Sequence, residues 1–232
     1  VANGANPLVV VVPEFDTRSI GQSNPLASGT NTITVTLVTN VNLEQGSVVT
    51  ISGLTNAAVA GGASYVTLTN VGNGGGSLFS DGATQGRGAW SSGTLTLTVH
   101  TGQTVTAGTE YIFSFQVTNP SGAQNAATVL IAASGTVSLA SVSMTTDTPD
   151  LYGVAEGGKP MKVIVPSFSA SLIGQSTPIA GATVTVSVTL TASINIPAGS
   201  RVTIVGLTST QTANNVALTV ASTDGSTNGQ LG

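Results

Sequence analysis

The chain has 232 residues, 40% of them hydrophobic and only 6% charged, with 29 glycines and no cysteine. Five Lys and Arg against nine Asp and Glu leave a formal charge of −4, and the cations Arg18, Arg87, Lys159, Lys162 and Arg201 are scattered, which argues against the basic stripe of a nucleic-acid surface. Without cysteine there is no disulfide framework, thiolate metal site or Cys nucleophile, and apolar runs such as 8–12 are too short to span a bilayer.

Hydroxyl side chains take the place of charge on the polar faces. Such a surface suits a protein packed against copies of itself, or one carrying O-linked sugar on Ser and Thr. No Asn-x-Ser/Thr sequon occurs, since Asn119 is followed by Pro120. The first residue is Val, and no signal peptide is visible. The chain reads as a mature or internal segment of something longer.

Along the chain, the β-branched run at 8–12 reads as a strand buried on both faces and ended by Pro13. Residues 32–38 alternate, with Ile33, Val35 and Leu37 inward and Thr32, Thr34 and Thr36 outward, the pattern of a half-buried strand. A turn at Gly46 and Ser47 leads into a strand at 48–52, and a short strand follows at 65–69. The run NVGNGGGS at 70–77 reads as a flexible loop. Residues 94–100 alternate again, with Leu95, Leu97 and Val99 inward. In TEYIFSFQVT at 109–118, Tyr111, Phe113, Phe115 and Val117 share one face, which predicts the centre of the core. Strands at 128–132 and 136–144 complete the set, and no segment has a helical period or cap. Short strands at this spacing predict an all-β fold, an antiparallel Ig-like β-sandwich.

The chain repeats itself. IGQSNPLASGT…VVTISGLT at 20–55 returns as IGQSTPIAGAT…RVTIVGLT at 173–208, an ungapped offset of 153 residues. Residues 1–18 return at 154–171, with Pro7 matching Pro160, Pro13 matching Pro166 and Phe15 matching Phe168. This predicts tandem repeats: a complete sandwich at 1–153, and at 154–232 the front half of a second. A half sandwich exposes its apolar face and strand edges. Two explanations stay open: the segment is cut from a longer array, or a neighbouring copy completes it by strand addition and so joins copies head to tail.

Chemistry is sparse. The one histidine, His100, falls on the threonine face of its strand, and no second histidine exists for a metal site. The glycine run near residue 74 lacks the lysine and helix of a phosphate-binding loop. Asp147, Asp150 and Glu156 lie at the junction between repeats and are candidate Ca²⁺ ligands that would stiffen an array. The competing reading is a solvated polar linker. Trp90 is a candidate for stacking on a glycan ring, against the ordinary role of a core or rim residue. No catalytic constellation is legible, and the chain is expected not to be an enzyme.

The pattern ITVTL…TNVNLEQGSVVTISGLT, followed by LTLTV…AGTEYIFSFQVTNP and VLIAASG, resembles tandem β-sandwich repeats of long secreted surface proteins in algae and other protists, and of adhesin-like bacterial proteins. The resemblance implies an extracellular fibre or surface layer whose partners are copies of itself. The alternative it leaves is an adhesin or carbohydrate-binding module that uses loops such as 56–64 or 70–88.

Overall fold

The computed structural model describes residues 8, 10–146, 148–213 and 217–221. Its contacts divide the chain into two compact units, Val1–Pro166 and Ser167–Gly232. The strands of the first unit, in chain order, are β1 Phe15–Gln22, β2 Thr30–Thr39, β3 Val48–Ser52, β4 Tyr65–Thr67, β5 Thr69–Gly72 and β6 Phe79–Ser80. They continue with β7 Arg87–Ser91, β8 Thr94–Val99, β9 Tyr111–Thr118, β10 Leu130–Ser134, β11 Leu139–Ser143 and β12 Thr145–Thr146. The second unit contributes β13 Phe168–Gln175 and β14 Val186–Ala192.

The first unit is a β-sandwich. One sheet has the order β12-β1-β2-β9-β5, the other β11-β10-β3-β8-β7-β4 with β6 paired to β8. Every pairing is antiparallel except β1 with β12, where Ser19 faces Thr145 in parallel. The expected alternation is what seals the two sheets together. Ile33, Val35 and Leu37 of β2 are fully buried, as are Leu95 and Leu97 of β8, and all belong to one core. The aromatic row of β9 lies at its centre: Phe113 meets Phe79 edge-on at 5.7 Å, and Phe115 meets Trp90 at 6.3 Å.

Two local expectations are overturned. The described residues of 8–12 do not form a buried strand: Leu8 lies in a turn and Val10 and Val12 are exposed. A β-branched run favours extended backbone, but a strand also needs a partner ladder. Here the Asn40 side chain takes over, its Nδ2 donating to the Val12 carbonyl and its Oδ1 accepting from the Glu14 amide. Nor is 70–77 a loose loop. β5 pairs with β9, and a 3-10 turn at Gly75–Leu78 lies against Ile112. A Cβ on Gly75 would stand 2.8 Å from the Ile112 carbonyl oxygen, so glycine is there for close approach.

In the second unit, β13 and β14 pair with the register of β1 and β2 displaced by the repeat offset. Phe168 faces Ala192 as Phe15 faces Thr39, Gln175 faces Val186 as Gln22 faces Ile33, and the same irregularity follows the first pair. The apolar positions differ in burial. Ile33 and Val35 are fully buried, whereas their counterparts Val186 and Val188 are 45% and 39% exposed. Among the described residues of this unit, no strand pairs with or covers β14 as β9 and β8 do in the first unit.

Candidate functional site: a buried amide network around residues 154–166

The residues that open the second copy of the sequence repeat pack into the first unit. Met161 is 0% exposed and Val163 1%. Residues 157–164 are bonded along both sides. On one side the Gln22 amide donates to the Gly158 carbonyl at 3.0 Å, the Ala27 amide to Ile164 at 2.9 Å, and the Ile164 amide to Pro25 at 2.8 Å. On the other, Gln124 and Val163 exchange both backbone bonds at 2.8 and 2.9 Å, and the Ala127 amide donates to Pro160 at 3.0 Å. The segment thus lies as a short rung between the end of β1 and the connection that follows β9.

Four side-chain amides hold that rung. Gln22 ends β1 and is buried. Its Nε2 donates to the Gly157 carbonyl at 2.9 Å and to the Lys162 carbonyl at 2.8 Å. Its Oε1 accepts from the Met161 backbone amide at 2.8 Å and from Asn31 Nδ2 at 2.9 Å. Asn31, fully buried on β2, also donates to Asn119 Oδ1 at 2.9 Å and accepts from the Ser23 and Asn24 amides at 3.2 Å. Asn119 Nδ2 donates to the Asn24 and Leu26 carbonyls at 2.8 and 2.9 Å. Gln124 Nε2 reaches the Met161 carbonyl at 2.7 Å. Gln22 and Asn31 use all their donors and acceptors, the condition under which buried amides specify one arrangement instead of weakening the core.

Strand parity carried a signal for these residues that composition hid. Asn31 stands two residues before Ile33, in phase with the inward side of β2, and Gln22 stands two after the buried Ile20. A polar residue in an inward phase must find partners inside. The partners came from far along the chain and could not be read from spacing.

The residues singled out by sequence lie elsewhere. Trp90 is 9% exposed and its ring packs on Phe115, so it stands with the core. The neighbouring stretch at 70–88 is mostly β5, the 3-10 turn, β6 and the start of β7, with Arg87 placed over the Tyr65 ring at 4.1 Å. His100 is half-buried at the end of β8, its amide donating to the Leu78 carbonyl at 2.8 Å. Asp147 lies outside the described residues. Asp150 Oδ1 accepts from the Glu156 backbone amide at 2.8 Å, and the Glu156 carboxylate pairs with Lys159 Nζ at 2.6 Å. That lysine holds the Glu156 carboxyl below its ordinary range. Among the described residues, no three His, Asp or Glu side chains gather as metal ligands would. No described helix is long and apolar enough to cross a membrane.

No protein-family model matches the sequence, and no curated protein matches it. Among solved structures, the sixth cohesin from scaffoldin B of Acetivibrio cellulolyticus, crystallised with a Cel5 dockerin mutant, is similar at 14% identity. The alignment covers 58% of this chain and 99% of that one, with a TM-score of 0.33.

Proposed function

We propose that this chain is a structural component of an extracellular filament or surface layer, built from tandem β-sandwich repeats that join head to tail. The observation that carries the reading is the burial of Met161 and Val163 in the first unit, although residues 154–166 belong by sequence to the second copy. The opening segment of one repeat closes the sandwich before it. The residues that open a repeat are then a packed, hydrogen-bonded part of the preceding sandwich, and the same arrangement can recur along an array. Low charge fits this reading, because closely stacked copies repel one another little.

Electron microscopy of the native material tests it. Regular filaments or sheets with an axial period of about one or two sandwiches would support the reading. Dispersed monomers that bind a glycan saturably would replace it with a binding module.

A further inference from the structure

We infer that residues 7–13 are a second clasp of the same kind as 160–166, able to take the place of 160–166 in the Gln22–Gln124 groove of another copy of the first unit. This deepens the joint proposed above and rests on it. The two segments read PLVVVVP and PMKVIVP, in register at the repeat offset. Leu8 corresponds to Met161 and Val10 to Val163. The two side chains that are 0% and 1% exposed in the groove therefore answer to two that are 100% and 88% exposed here.

The backbone carries the same mark. Met161 has φ 60° and Leu8 has φ 63°, both in the left-handed region. A branched or long side chain meets a steric penalty there. In the clasp, that turn lets Met161 direct its amide to Gln22 and its side chain into the core. Leu8 has a similar φ with its side chain fully in solvent. Of the apolar side chains described at 8–12, Val11 alone leans on its own core. The occupant that the groove accepts is a short segment with two apolar side chains one residue apart, and Leu8 and Val10 are such a pair.

Chemistry within the groove explains why one clasp can replace another. Most of its hydrogen bonds go to the backbone of the segment: Gln22 to Lys162 O and Met161 N, Gln124 to Met161 O and to both polar groups of Val163, Ala27 to Ile164 O. Backbone recognition with apolar pockets for alternate side chains is how an added strand is bound. Replacing Met161 by leucine and Ile164 by valine changes volume little, and Lys162 is only half-buried.

Two experiments on the full chain decide the matter. The triple variant Met161→Leu, Lys162→Val, Ile164→Val writes the 7–13 sequence into the groove. It should keep the parent's thermal midpoint and its amide protection at residues 163 and 164, whereas Met161→Asp should lose both. A triple variant that falls as far as Met161→Asp overturns the inference. In the second experiment, a synthetic peptide of residues 1–13 is added to the Met161→Asp chain. It should raise the midpoint, and should bind at least about tenfold more tightly than the same peptide carrying Leu8→Asp and Val10→Asp. Rescue by a 154–166 peptide but not by 1–13 overturns the inference. If neither peptide rescues that chain, the triple variant alone decides between fit and rejection. Retained fit without filaments in the native material would remove the filament reading and leave the clasp. Rejection of 7–13 would do the reverse.

Discussion

The Oε1 of Gln22 accepts the backbone amide proton of Met161 at 2.8 Å, across 139 residues of sequence, with both residues buried. That bond ties the end of β1 to a segment which, by sequence, starts the next repeat. It joins two copies of a pattern inside one sandwich.

Gln22→Leu removes four hydrogen bonds at once and leaves the Met161 amide and two carbonyls without their partner. Each orphaned buried group costs about 1–3 kcal/mol, partly relieved by relaxation, so the first unit should lose roughly 2–4 kcal/mol. Urea unfolding reads this as a lower midpoint with an unchanged slope. Gln175→Leu, at the exposed counterpart, should change stability by less than about 0.5 kcal/mol. Equal losses at the two positions would contradict the assignment.

Met161→Ala should cost about 2–4 kcal/mol through lost burial and the cavity left behind. Leu8→Ala, at the corresponding exposed residue, should cost less than about 0.5 kcal/mol in the isolated chain. The comparison uses similar side-chain deletions at residues of similar φ, so the difference reports the groove and not the backbone turn.

Glycines divide by what surrounds them. Gly75→Ala forces a Cβ to within 2.8 Å of the Ile112 carbonyl oxygen and should destabilise by about 1–3 kcal/mol. Gly122 has open space around it and no positive φ, so Gly122→Ala should stabilise by about 0.4–1 kcal/mol through the unfolded chain. Thermal melts of the two variants should therefore move in opposite directions.

Asp81 is an assignable local source of acid sensitivity. Asp81 Oδ1 accepts the Thr84 amide at 2.7 Å and the Ala83 amide at 3.0 Å. The Thr84 bond is the main cause that holds the carboxyl below its ordinary value of 3.8, slight burial opposes it, and the Ala83 bond and Arg87 add to the lowering. A depressed folded pKa gives stability that is present above the unfolded value and is lost as pH falls through the folded one. Asp81→Asn should therefore lower stability at pH 5–7 and converge with the parent well below pH 3.8. At so exposed a site the difference should be about 0.5 kcal/mol or less. A gap that widens in acid would contradict the sign.

Much of the sandwich was legible because alternation in β2 and β8 is strict and β9 keeps Tyr111, Phe113, Phe115 and Val117 on one buried phase, and alternation follows directly from one buried face. The glycine run at 70–77 misleads because composition does not distinguish mobility from close approach. The run at 8–12 misleads because propensity does not supply a pairing partner. The groove was invisible for a different reason. Gln22, Asn31, Asn119 and Gln124 are ordinary polar residues until the fold brings them to one place. What the repeat gave was the equivalence of Leu8 and Met161, and the groove gave that equivalence a physical meaning.

Hydrogen exchange of the full chain, read residue by residue, tests the central claim most directly. The amides of Met161, Val163 and Ile164 are bonded to Gln22 Oε1, Gln124 O and Pro25 O. They should exchange as slowly as the amides of β9, while those of Val10 and Val12 exchange at rates near those of an unfolded chain. Fast exchange at 161–164, alongside a protected β9, would show that the segment does not close the first sandwich and would contradict the account.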